Sequence, residues 1–278
     1  MSRRGFLAAT VAALIVPASA VAQENWSSKV VKRAYAGEAR LMVEVEYGAG
    51  QLRVNPASAA DLYRAAFRYD PDAIEPVTSY ADGRLKISAT SGAKKLRGIS
   101  NGGQLDLALG RSVPVHLKLS YGAAEADLEL GGLRLREARI ETGASSTNLR
   151  FSEPNPETCE YLEIHAGAAS FNAYGLGNSR AKQVRLEGGV GHVVLDLTGD
   201  WAGDMRVSVE MGLGSLTVRV PRTVGVRLQK TSIFAGVTSP GFSKRDDAYY
   251  SDNWGSARHR LTLDVEAAFG NVDIRWVD

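Results

Sequence analysis

The chain has 278 residues, of which 44% are hydrophobic, 8% aromatic and 23% charged, enough to bury a substantial core in one large domain or two small ones. Its 33 basic residues stand against 31 acidic ones, and two of the arginines lie in a leader-like first segment without acids, which leaves 31 against 31 in residues 23–278. Such a neutral chain with interspersed signs argues against a dedicated nucleic-acid or anionic-membrane binder.

At the start, Arg3 and Arg4 precede an apolar run from Phe6 to Val16, and the small residues PASAVAQ follow. A charged beginning, a short apolar stretch and an Ala-x-Ala site mark an export signal peptide over residues 1–22, cut after Ala22 or Ala20. The string SRRGFL is similar to the twin-arginine motif that carries folded proteins across a bacterial inner membrane; an ordinary secretory leader with two arginines fits as well. Either leader places the mature chain in the periplasm or at the cell surface of a bacterium. No later apolar run is long enough to span a bilayer, so no transmembrane segment is expected in the mature chain. Cys159 is the one cysteine; no intramolecular disulfide is expected, and its place in SEPNPETCEY reads as a loop carrying a free, inert thiol.

Residues 24–40 are polar with a short apolar run at Val30–Val31, a lead-in strand or cap. The first full copy of a repeat follows at Val43–Pro56, VEVEYGAGQLRVNP, where apolar residues alternate with polar ones around a Gly-x-Gly bend. Residues 55–114 interrupt the repeat. DLYRAAFRYD reads as a strand with Tyr63, Ala65, Phe67 and Tyr69 on one face, or as a short helix capped by Ser58. The strand is preferred because GRLKIS at Gly83–Ser88 alternates like a partner across a turn, which gives an inserted hairpin.

From Gly122 the repeat is regular: glycines at 122, 143, 167, 189 and 212 are spaced 21, 24, 22 and 23 residues apart. Each unit holds two short period-2 strands flanking one bend, with no room for a helix, and is about half the length of a four-stranded propeller blade. The expected fold is therefore all-β, a β-solenoid (β-helix-like) of about 22-residue coils forming a single domain over residues 23–278, with an N-terminal hairpin insertion. Aligned on the bend, the residues five before, three before and six after the glycine are apolar in every copy, as for Val207, Val209 and Val218 around Gly212. These columns should stack inward, coil on coil. Gly48, Gly122, Gly143, Gly167, Gly189 and Gly212 are read as structural bends that need positive φ, and the small residue two positions later as a place where the neighbouring coil comes too close for a side chain. After Val220 the rhythm falters into one degenerate coil. An aromatic and acidic stretch at 238–260, with Tyr249, Tyr250 and Trp254, then precedes the last copy, LDVEAAFGNVDIRW.

The bends GAGQLRV and GLGSLTVRV, the insertion LYRAAFRYDP and the ending AYYSDNW…AFGNVDIRW resemble the bacterial "toast-rack" envelope domain family, related to the extracytoplasmic domain of LiaF-type cell-wall stress proteins and to adhesin-like β-solenoids. The likeness runs along most of the mature chain. It implies the fold and an envelope setting; it brings no catalytic residues, because its motifs are structural glycines and alternating apolars. LiaF-type members carry membrane helices and this chain departs from them in showing none, which puts a signalling role through the membrane in doubt.

Candidate chemistry lies on the outward columns. Two before the glycine stand Glu46, Ser120, Glu141, His165, Glu187, Glu210 and Glu266, and four before it Arg139, Glu163 and Arg185 alternate in sign. Glu141, His165 and Glu187 would form an acid–base or metal patch suited to glycosidic chemistry. They would equally form a solvated charge ladder, which is preferred because surface strands need polar outward residues in any case. His116, His192 and His259 have no metal-ligand spacing, and no nucleophile, phosphate-loop or HExxH motif is present. Catalytic residues, metal ligands and cofactors are thus not expected. The aromatic stretch would either stack on a sugar or protein partner or cap the open end of the solenoid; capping is preferred because a terminal coil needs cover. The expected protein is an exported, non-enzymatic cell-envelope protein with a structural, adhesion-like or partner-binding role toward an envelope protein or glycan. A polysaccharide-processing enzyme on the outward face, or an accessory domain in envelope-stress signalling, are the alternatives.

Overall fold

A computed structural model describes residues 26–90, 102–238 and 241–278, with side chains omitted at 232–238; the leader lies outside the described residues. The strands are β1 (Ser27–Ala34), β2 (Leu41–Pro56), β3 (Asp61–Tyr69), β4 (Val77–Ala81), β5 (Arg84–Ala89), β6 (Gly103–Leu109), β7 (Pro114–Glu129) and β8 (Arg134–Arg150). They continue as β9 (Cys159–Tyr174), β10 (Ala181–Asp196), β11 (Met205–Pro221), β12 (Val224–Thr238), β13 (Phe242–Arg245), β14 (Ala248–Ser251) and β15 (His259–Val277). A 3-10 turn at Leu176–Ser179 is the helical element among the described residues, and no helix there is long and apolar enough to cross a membrane.

The long strands β2, β7, β8, β9, β10, β11, β15 and β12 lie side by side in that order, all parallel. Each is bent into a coil. In β2 the buried residues are Leu41, Val43, Val45 and Tyr47 before the glycines, then Leu52 and Val54 after them. The inward face thus passes from odd to even positions, which a flat strand of period two cannot do. The expected columns stack as read: Val43, Leu117, Ala138, Leu162, Val184, Val207 and Leu263 are all 3% exposed or less. This is a β-solenoid with one continuous apolar core.

The bend is built differently from the expectation. None of the six glycines expected at positive φ has it; the positive values fall two residues later, at Gly50 (119°), Gly191 (153°), Gly214 (146°) and Gly270 (125°). The reason the first glycine is needed is contact alone: a Cβ at Gly212 would stand 2.7 Å from the Gly189 carbonyl oxygen, and one at Gly189 would stand 2.9 Å from that of Gly167. At the second position a Cβ on Gly214 would stand 1.8 Å from the Gly191 oxygen. Inside the corner, the buried Tyr47 hydroxyl donates to the Gly103 carbonyl, and the Tyr121 hydroxyl meets Thr147 Oγ1 at 2.8 Å.

The insertion hides a coil. β5 lies parallel on Met42–Tyr47 and β6 parallel on Gly50–Pro56, so the two are the halves of one more coil on β2, interrupted at its corner. The hairpin partner of GRLKIS is β4, across the Asp82–Gly83 turn, and not β3. β3 is a strand with Tyr63, Ala65 and Phe67 buried; it pairs antiparallel with β6, and β1 closes that end antiparallel on β3. Lys29, Lys32 and Arg33 on β1 give this edge the charge that discourages further strand pairing.

At the other end β15 enters between β11 and β12, so the degenerate coil lies outermost and the last copy is enclosed on both sides. Cys159 is not in a loop: it opens β9, fully buried, and burial pushes its thiol up to about 12.

Candidate functional site

Parallel stacking in register turns each outward position into a row running along the solenoid. Glu141, His165, Glu187, Glu210 and Glu266 are consecutive register partners, and so are Arg139, Glu163 and Arg185. Strand spacing of about 4.8 Å brings such neighbours within reach. The sequence-predicted trio Glu141, His165 and Glu187 is therefore brought together on β8, β9 and β10.

The trio sits in a chain of contacts. Ser120 Oγ donates to Glu141 Oε2 at 3.1 Å, and Arg139 meets both Glu141 (3.4 Å) and Glu163 (3.0 Å). His165 lies between two carboxylates, Nε2 to Glu163 at 2.9 Å and Nδ1 to Glu187 at 3.0 Å. The two ring nitrogens of His165 thus face carboxylate oxygens on two different coils. Arg185 then links Glu187 (2.9 Å) to Glu210 (3.1 Å). Burial alone would raise the Glu163 carboxyl, but the hydrogen bond from His165 and the Arg139 guanidinium outweigh it and hold it below the usual range. Glycosidic general-acid catalysis asks for a carboxyl displaced upward; Glu163 is displaced the other way. Among the described residues, no group of three or more His, Cys, Asp or Glu side chains is placed to hold a metal ion.

The ladder forms one wall of a groove of about 1310 Å³ that runs from Glu46 to Glu266, with the bends at Gly48, Gly122, Gly143, Gly167, Gly189 and Gly212 along its floor. At the strand spacing, the seven coils involved give it a length of about 29 Å. Glycine at these positions leaves backbone open to the groove. A smaller hollow of about 330 Å³ on the same face holds His116, whose Nδ1 faces Glu137 at 3.4 Å. The Tyr161 hydroxyl donates to Glu137 at 2.7 Å and, with burial opposing it, keeps that carboxyl low.

Tyr249, Tyr250 and Trp254 do not line this groove, although Arg227 donates to the Tyr250 hydroxyl at 3.3 Å and lies 3.9 Å from Asp264 on the outward row. β14 pairs antiparallel with β12 at Tyr249 and Tyr250, beyond the outermost coil. Tyr250 meets Trp254 edge-on at 5.5 Å, Lys230 lies 4.5 Å over the Tyr249 ring, and Arg260 lies 5.7 Å over Trp254. The buried Ser251 hydroxyl accepts the Val226 N–H, and the Asn253 amide donates to the carbonyls of Arg222 and Val224. These contacts turn the aromatics onto the chain itself.

A further row, absent from the outward columns expected above, lies at the corner. One residue past the first glycine, Val190, Leu213 and Phe269 are in register and 54%, 51% and 50% exposed. The signal was available, since the same position is alanine at 49, 123, 144 and 168.

Fold and site together define an all-β protein of parallel coils with a charged outer face. The family model described as the N-terminal domain of toast_rack, DUF2154, matches residues 20–173, over half of the chain, and the protein belongs to the toast-rack family. No curated protein matches it significantly. Among solved structures it is similar to a candidate cell adhesion protein from Clostridium sporogenes (16% identity, 91% of this chain and 100% of that one, TM-score 0.46). It is also similar to a candidate adhesin from Bacteroides fragilis (14%, 88% and 97%, TM-score 0.40). A candidate lipid binding protein from Parabacteroides distasonis is a third (12%, 91% and 97%, TM-score 0.37).

Proposed function

We propose that this is an exported, non-enzymatic protein of the bacterial cell envelope that binds a partner, an envelope protein or a glycan, through its outer coil face. The observation that carries the reading is the ladder from Ser120 to Glu210, in which Arg139, His165 and Arg185 tie four carboxylates together across coils. Groups held in reciprocal ion pairs make a fixed, hydrated recognition surface and a poor proton-transfer site. The first 22 residues, read as an export leader, support the location.

Two measurements test this. Fractionated cells should hold the chain in the periplasmic or surface fraction, and the immobilised mature chain should retain a specific envelope component. Recovery in the cytoplasm alone would contradict export. Turnover of an envelope glycan that Glu187→Ala abolishes would replace this reading with the enzymatic one.

A further inference from the structure

Among the described side chains, the exposed corner row lies on three adjacent coils. Val190, Leu213 and Phe269 follow one another in register on β10, β11 and β15, and Phe234 holds the next register position in β12. Large apolar side chains half exposed on three successive rungs form a ridge, whereas the earlier coils carry alanine there. Three residues before each stand Glu187, Glu210 and Glu266, with Asp264 on the last rung. Arg185 is shared by Glu187 and Glu210, Glu187 also takes His165, and Arg227 reaches Asp264 at 3.9 Å. Among the described residues Glu266 has no ion-pair partner. Beyond the ridge are His192, Ser215 and Asn271, none a fixed cation. The three rungs thus pair an apolar stripe with an acid-rich one.

The spacing selects the shape of a complement. Ridge residues recur at about 4.8 Å, the distance between paired strands. A helix laid along the solenoid axis repeats its apolar stripe every turn, about 5.4 Å, and stays in step over three rungs. Same-face residues of an extended strand recur at about 6.7 Å and fall out of step by roughly 4 Å over the same length. The described residues of a second copy offer no such helix, their helical element being the short turn Leu176–Ser179. The acidic row disfavours an anionic bilayer.

Resting on the partner-binding reading above, we propose that β10, β11 and β15 dock one cationic amphipathic α-helix of a partner protein. Its apolar stripe lies on Val190, Leu213 and Phe269, and its lysines or arginines stand over Glu210 and Glu266.

The test uses the mature chain and a labelled leucine–lysine peptide with leucines at helical spacing, read by fluorescence anisotropy. Binding is expected, weakening as salt rises. Leu213→Ser and Glu266→Lys should each weaken it about tenfold or more, with Ala168→Ser as a neutral control and unchanged melting to show that each variant folds. An alternating leucine–lysine peptide, which forms strands, and polylysine should both bind about tenfold more weakly. Equal binding of either, or binding that Leu213→Ser leaves intact, overturns the proposal. So does Leu213-dependent attachment to phosphatidylcholine vesicles, or a Leu213-dependent dimer in sedimentation, when peptide binding is absent. Retention of an envelope component undiminished by Leu213→Ser sinks this surface and leaves partner binding standing.

Discussion

Gly214 meets two demands at one residue. Its φ of 146° is costly for any side chain, and a Cβ there would stand 1.8 Å from the Gly191 carbonyl oxygen. Gly212, two residues earlier, meets only the second demand and less severely, with a Cβ 2.7 Å from the Gly189 oxygen. Gly143 is freer still at 3.4 Å from the Gly122 oxygen, a distance a small backbone adjustment can relieve. Substitution by alanine should therefore be graded. Gly214→Ala should cost well over the roughly 1–3 kcal/mol typical of a strained backbone position. Gly212→Ala should lie between, and Gly143→Ala should be near neutral, since glycine inside a strand is itself unfavourable by about 0.5–1 kcal/mol. Thermal melts of the three variants decide it, and equal losses would mean that the corner yields more freely than these distances imply.

At the scale of elements, the register of β8, β9 and β10 sets the acid sensitivity. The folded state holds the Glu163 carboxyl below its ordinary value of 4.5, and its side chain is only 23% exposed. A carboxyl whose folded value is depressed stabilises the fold above its unfolded value and loses that contribution as pH falls through the folded one. Glu163→Gln should thus lower the melting temperature at neutral pH, and the gap from wild type should close as pH drops below about 4. A gap constant with pH would show that the ladder contributes nothing through this charge. The ladder was legible in the sequence because alternation and a fixed repeat determine which outward residues become neighbours. The coil made by β5 and β6 was not, because its halves are separated at the corner and neither carries the Gly-x-Gly sign. The insertion of β15 between β11 and β12 was hidden for a different reason. Every coil carries the same apolar columns, so the pattern fixes how coils stack but not in which order. The order depends on particular contacts, among them Arg222 N–H to the Val277 carbonyl and Asn253 bridging Arg222 and Val224. The corner ridge is hard to read from sequence because the residue between the two small corner residues is alanine in four copies and large and apolar in only three of those described.

For the whole molecule, stacking in one dimension means each coil is stabilised by its neighbours, and the two ends are the weak places. The N-terminal end is closed by antiparallel strands over a full half-coil, six register pairs between β3 and β6. The C-terminal end is closed more thinly: β14 pairs with β12 at Arg227 and Leu228, and Ser251 adds one buried bond to the Val226 N–H. Removing that hydroxyl leaves a buried donor unpaired, a loss of about 1–3 kcal/mol. Because contacts run only between adjacent coils, the loss should stay local. In Ser251→Ala, amide hydrogen exchange should quicken in β12 first and in β15 to a lesser degree, while β7, β8 and β9 keep their protection. Uniform acceleration from β2 to β12 would instead mean that the solenoid opens as one cooperative unit. Local opening has a functional consequence, since β15 carries Phe269 and Glu266: loosening the cap would disturb the outermost rung of the ridge while leaving the ladder around His165 intact.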